Sequence, residues 1–241
     1  MKSAPIVDQS RKGELAANYE EMEDHMRNVI TGFGEMDPPG AADIEAAIRN
    51  FESNRFAVMH FTSKEEAADY LDRVIDGTTV GFGDSVTLMT MKMAERLSKH
   101  NYVVDPNTCP KGIFYHAVKI AMDMEIFLTS VNAAAETGEL VNIDSSGNRV
   151  AGSLFGHRKV YYVLSTNKIM PTLEQAVWRV RNVAAPMNAK RFGFKTPCAL
   201  KGDRCYNCKS PDRICNKLVI YMKQGKLMEE EIVLIDEPLG L

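Results

Sequence analysis

From Phe56 onward, short apolar runs alternate with stretches of helical period, and this alternation constrains the fold more than any other feature of the chain. Runs at 56–59, 79–82, 103–104, 126–129, 140–143, 160–164, 218–222 and 232–235 read as strands. Ser63 opens a helix, and Glu66 three residues later completes a capping box. Thr172 and Gln175 repeat that pattern before a helix whose apolar face is Leu173, Val177, Val180 and Ala184. A methionine-rich helix is expected from the 83–85 turn to about Lys99, and another over 115–122. Strands and helices that alternate through short connections predict an α/β fold, a mainly parallel sheet covered by helices.

Ahead of this region lie two helical patterns. Leu15, Tyr19, Met22, Met26 and Val29 mark a helix over 12–30, and Ile44, Ile48 and Phe51 share a face of a second. Gly32, Gly34 and Pro38-Pro39-Gly40 break the chain between them. The organisation expected is an N-terminal helical segment over 1–53 and an α/β domain over 54–241 that includes a cysteine-rich loop at 197–216. The formal charge of −3 gives no electrostatic reason to expect nucleic acid or an anionic membrane as partner. The basic group Lys190, Arg191 and Lys195 reads as a solvated helix end. No run of about 18 apolar residues appears, so no membrane helix is expected. No apolar signal region opens the chain, so a cytoplasmic location is expected. Most of the 14 methionines sit at helical spacing and read as packing.

In a reducing compartment, clustered cysteines more often bind metal than form disulfides. Cys198, Cys205, Cys208 and Cys215 form the pattern C-x6-C-x2-C-x6-C, in a segment without helix or strand period. Gly202, Asp203, Asn207, Pro211 and Asp212 are turn formers. Such a loop has no apolar face to bury, and a bound metal would order it by supplying folding free energy. Structural zinc usually takes two short pairs or a histidine pair, whereas the cluster has one short pair and no histidine. The spacing therefore favours an iron–sulfur centre, [4Fe–4S] first, ahead of zinc and of thiols without metal. Whether three or four of the thiols ligate is open. Cys109 stands apart and reads as a buried or merely tolerated thiol, with approach to the cluster in space as the alternative.

Parallel sheets bind ligands beyond the carboxyl ends of their strands. Three polar turns suit that place. In the first, Gly81, Gly83, Asp84 and Ser85 follow a strand, the glycines allowing close backbone approach. In the second, Thr129 and Asn132 follow another strand, and Glu136 is a candidate acid, base or nucleophile. In the third, Asp144, Asn148 and Arg149 form a turn with a fixed cation suited to a carboxylate or phosphate. Each also reads as an ordinary cap or turn. Of the five histidines, His116 and His157 lie nearest these turns and none forms a metal-ligand pair.

The run from Thr129 through Asn132, Glu136, Asp144, Asn148 and Arg149, then 159–164, Asn167-Lys168 and the 81–85 turn, resembles the LUD domain family, named for lactate-utilisation proteins. The resemblance spans roughly 44–222 and implies a fold like that of sugar-phosphate isomerases and CoA transferases, a Rossmann-like α/β core. It also implies kinship with proteins that oxidise lactate to pyruvate alongside iron–sulfur partners. In the related CoA transferases a glutamate attacks a thioester, which makes Glu136 a candidate by position. The leading expectation is an enzyme, an oxidoreductase or cluster-dependent lyase, acting on a small anionic substrate such as a 2-hydroxy or 2-oxo acid. Arg149 would pair the carboxylate, Gly81, Gly83 and Ser85 would line the site, and Glu136 would move a proton. The alternatives are an electron-transfer or assembly subunit with a redox protein partner, and a zinc-stabilised binding protein. The oligomeric state is left open, a homodimer included.

Overall fold

The computed structural model describes residues 40–110 and 112–241. The helix expected over 12–30 lies outside the described residues. Six strands form a wholly parallel sheet: β1 (Ala57–Phe61), β2 (Thr79–Phe82), β3 (Tyr102–Val104), β4 (Ile126–Thr129), β7 (Lys159–Ser165) and β10 (Glu229–Ile235), in the order β1-β10-β7-β4-β2-β3. This is the expected α/β architecture. A smaller sheet, which the strand pattern does not separate from the first, holds β5 (Ala133–Ala135), β6 (Leu140–Asp144), β8 (Ile169–Met170) and β9 (Lys217–Tyr221) in the order β8-β5-β6-β9.

The period of two along the central strands sorts side chains between two cores. Tyr161, Val163, Val233 and Ile235 face one side with Ala67, Ala68 and Leu71 of α2 (Lys64–Val74). Val160, Tyr162, Leu164, Ile232 and Leu234 face the other, where they meet Leu140 and Tyr221 of the smaller sheet. Both faces of the large sheet are thus covered, as a parallel sheet requires. Each fully buried Leu, Ile or Val there contributes roughly 1.5–3 kcal/mol. The far side of the smaller sheet packs Ala133, Ala135 and Val141 against Ala176 and Val177 of α7 (Leu173–Arg179).

Helix α1 (Ile44–Ser53) buries Ala47 and Phe51 completely in the core between the sheets. Its packing is continuous with the α/β body, across the boundary expected at residue 53. Ser63 and Thr172 cap their helices, accepting from the N–H groups of Glu66 and Gln175. The methionine-rich helix is instead two short ones, α3 (Val86–Thr90) and α4 (Met93–Leu97), divided at Lys92, whose φ of 52° is left-handed. Helix α5 spans Phe114–Ala121. The turn expected after Asp144 becomes α6 (Asn148–Leu154). Helix α7 runs through a π-helical turn (Val180–Ala184) into α8 (Ala185–Arg191), with Pro186 in its first turn.

Candidate functional site

Strand order makes the crevice. From β2 the chain moves outward to edge strand β3, then returns to place β4 on the other side of β2. The loops leaving β2 and β4 therefore diverge, and a cleft opens between their carboxyl ends, where ligands settle in open parallel sheets. A cavity of about 370 Å³ lies there. Its walls include Asp84 and Ser85 after β2, Asn132 after β4, Asn148 and Arg149 on α6, and Lys168 after β7. The three polar turns expected from the sequence thus meet at one place.

Several of these groups are held from behind. The Ser85 hydroxyl accepts from the N–H of Leu88, starting α3. Asn132 Oδ1 accepts from the N–H of Ile143 at 3.0 Å and from Arg149 Nη2 at 2.9 Å. The same Nη2 donates to the carbonyl of Ile143 at 2.7 Å, and Nε reaches Asp144 Oδ2 at 3.4 Å. Among the described residues Arg149 Nη1 has no hydrogen-bond partner, which leaves it for a ligand. Gly83 makes room for this arrangement, since a Cβ there would lie 2.9 Å from Arg149 Cγ and from Thr129 Oγ1. Arg191 reaches from α8 to Asp84 at 2.9 Å and stacks on Phe192, so the basic helix end turns inward rather than only to water. Phe114, Phe192, Phe194 and Ile214 give the cavity an apolar side.

Some expected residues lie elsewhere. Gly81 is inside β2, where a Cβ would strike the carbonyl of Ala121, so its missing side chain serves packing against α5. Thr129 is buried behind the cavity wall, its hydroxyl donating to the Ser130 carbonyl. Glu136 follows the three residues of β5 and does not line the cavity; its carboxylate accepts the N–H of Asp43 at 2.8 Å, where α1 begins. Four residues of extended chain put it roughly 13 Å from Asn132, and the proton-handling role expected for it loses its position. His157 is buried against Phe127, with Nδ1 2.6 Å from the carbonyl oxygen of Met124, and burial pushes its pKa down. His116 lies on α5 beside Tyr115. Neither histidine lines the cavity.

Lys168 is the residue that sequence reasoning passed over. It is only 3% exposed, yet it lines the cavity. Nζ donates to Ser130 Oγ at 3.1 Å, Thr87 Oγ1 at 3.2 Å and the Val131 carbonyl at 3.3 Å. All three are neutral, and no carboxylate pairs with it among the described residues. Burial, with Arg179 and Arg149 nearby, lowers its pKa to about 7. Arg179 is itself buried and donates to the Asn132 carbonyl at 2.5 Å; burial lowers its pKa to about 10. The usable signal was a lysine set between the apolar runs 160–164 and 169–170.

The four clustered cysteines are all half-buried. Cys198 sits in α9 (Pro197–Lys201), 3.3 Å from Thr196 Oγ1, and the other three lie in the coil that follows. The N–H of Cys205 donates to Asn182 in the π turn, and Arg213 donates to the carbonyls of Cys208 and Cys215. Cys215 is raised by burial and by Cys205 and lowered by Arg213 and Arg181, so those four groups are neighbours. The donor chemistry suits a thiolate-held centre, because the set is soft, free of carboxylate and flanked by arginines. Among the described residues no three Cys, His, Asp or Glu side chains are gathered as metal ligands. Ile214, beside Cys215, reaches the cavity wall. Cys109 follows a short 3-10 turn (Pro106–Thr108) on the far side of the sequence from this loop.

Fold and cavity together define an open, parallel α/β domain with a cationic crevice at its topological switch point. The LUD domain model matches residues 44–235, and the chain belongs to that family. It is also similar to the crystal structure, at 1.70 Å resolution, of a DUF162 family protein from Deinococcus radiodurans. The two are 9% identical over 80% of this chain and 95% of that one, with a TM-score of 0.46. No curated protein matches the sequence. Among the described residues no helix is long and apolar enough to cross a membrane.

Proposed function

We propose that the protein is an enzyme of the LUD family acting on a small carboxylate, a 2-hydroxy or 2-oxo acid, bound in the switch-point cavity. The convergence of Arg149 and Lys168 on that cavity carries this reading. Two pairs of charges there cancel, Asp84 with Arg191 and Asp144 with Arg149, while Lys168 adds a cation without a carboxylate partner among the described residues. Arg149, fixed through Nε and Nη2, keeps Nη1 for one carboxylate oxygen. Asn132 orients the guanidinium, and Ser85 lines the wall beside it. Direct titration tests the reading. The full chain is expected to bind 2-oxopropanoate or 2-hydroxypropanoate, and Arg149→Ala to weaken binding about 10- to 100-fold. Equal affinity in that variant would remove the cavity from the function.

The cysteine loop is the second part of the proposal. Cys198, Cys205, Cys208 and Cys215 would hold an iron–sulfur centre, which supplies one-electron transfer or Lewis acidity when bound. The half-exposed setting of these thiols also favours a second reading, in which the loop passes electrons to a redox protein partner. Anaerobic purification with iron, sulfide and zinc analysis decides the metal. Stoichiometric zinc without sulfide would establish the zinc-stabilised alternative instead.

A further inference from the structure

We infer that Lys168 is a nucleophile that forms an imine with the carbonyl carbon of a 2-oxo acid held in the cavity by Arg149; the inference rests on the carboxylate reading above. Lysines that serve only as cations are normally solvated or paired with a carboxylate. Lys168 is neither, being 3% exposed and surrounded by two hydroxyls and a carbonyl. The hydroxyls of Thr87 and Ser130 can each accept from an ammonium or turn to donate to the lone pair of a neutral amine. The site therefore tolerates both protonation states without leaving a buried group unsatisfied. The charged groups around it act in one direction: Arg149 and Arg179 oppose the ammonium, while the carboxylates of Asp84 and Asp144 are engaged by Arg191 and Arg149. A pKa near 7 is consistent with that surrounding and leaves free amine at neutral pH.

The cations also divide the work. Lys168 rests on the carbonyl of Val131, and Arg149 on the side chain of the next residue, Asn132. One turn thus places a guanidinium for the carboxylate and an amine for the carbon beside it. In the step itself, neutral Nζ adds to the carbonyl carbon and the oxygen takes a proton to become a hydroxyl. That oxygen then leaves as water while the C=N bond forms, with no change of oxidation state. The hydroxyls of Thr87 and Ser130 are within reach of the proton that Nζ releases.

Borohydride trapping tests this with the full chain, purified anaerobically and given 2-oxopropanoate. The expected result is one reduced adduct, mapped by peptide mass spectrometry to Lys168, with labelling at pH 7 at least ~10-fold above any exposed lysine, because exposed lysines near pKa 10.4 stay protonated there. Lys168→Met should lose the adduct, and excess 2-hydroxypropanoate, which has no ketone carbonyl, should suppress it. Mapping on the unmodified chain decides the matter even where the variant fails to fold. If 2-oxopropanoate binds, as read by a thermal shift, and no adduct forms at Lys168, the imine is wrong and the carboxylate cavity stands. If neither acid binds and no adduct forms, both readings fall. Labelling spread evenly over exposed lysines overturns the imine as well.

Discussion

The cavity floor and the cysteine loop lie within one neighbourhood, joined at Ile214, yet they are built in opposite ways. Three polar groups on the floor are tied to regular structure: Ser85 starts a helix, Asn132 joins β6 to α6, and Arg149 is tied through two of its nitrogens. Residues 203–216 contain no helix or strand, and single bonds hold them: turn bonds, Arg213 to carbonyls, and the N–H groups of Cys205 to Asn182, of Lys195 to Asp212 and of Asn216 to the Asp144 carbonyl. The contrast teaches where order comes from. The floor is organised by the fold itself, whereas the loop would gain its remaining order from a bound centre.

The largest expected effect tests that separation. Cys205→Ser with Cys208→Ser should abolish iron and sulfide binding while leaving the thermal midpoint of the α/β body nearly unchanged, a stability change within about 0.5 kcal/mol. Circular dichroism and metal analysis on one preparation check both halves, and a body that melts along with the loop would break the contrast. Next in size, Gly83→Ala should push Arg149 away, lowering carboxylate affinity about 10-fold or more with metal content intact. Gly81→Ala should do the reverse, costing about 1–3 kcal/mol of stability through its clash with α5 while sparing the residues that line the cavity.

The pH dependence of Lys168 comes third. Its folded pKa, about 7, lies below the value near 10.4 expected of an unfolded lysine. Between these values the unfolded chain binds the extra proton, so stability should rise with pH across that window, and the burial penalty is full below it. Denaturant titrations at pH 6 and 9 should show the unmodified protein gaining on Lys168→Met by a few kcal/mol. A flat difference would mean the amine keeps its ordinary pKa. The smallest change is expected for Asp84→Asn, which removes a half-exposed pair with Arg191 worth about 0.2–1 kcal/mol, visible mainly as altered salt dependence of ligand binding.

Much of the large sheet was legible because its strands are continuous apolar runs between clear caps. Strands 79–82 and 126–129 fall where the pattern puts them. The short strand Ala133–Ala135 was not legible, since alanine carries little strand preference and the pairing with β6 and β8 imposes it. Asn148–Leu154 reads as a turn because Gly147 and Gly152 suggest one. In the fold Gly147 precedes the helix at a φ of 93°, and Gly152 lets α6 lie against Phe127. Of the site, the three turns were readable from their polar residues. Lys168 was not, because a lysine between two apolar runs suits an exposed connection as well as a buried one. Glu136 was misplaced for the converse reason, since only the position of α1 shows what its carboxylate binds.

The π turn at Val180–Ala184 amounts to one surplus residue threaded into an otherwise α-helical rod. On its near side Arg179 braces Asn132; beyond it Arg191 meets Asp84, and within it Asn182 holds Cys205. Wound as plain α-helix with every residue kept, the same stretch would swing everything downstream by about 100°. Arg191 would leave the crevice and the cysteine loop would be carried off its anchor. The length of that single turn is thus a gear setting, meshing the loop with the crevice.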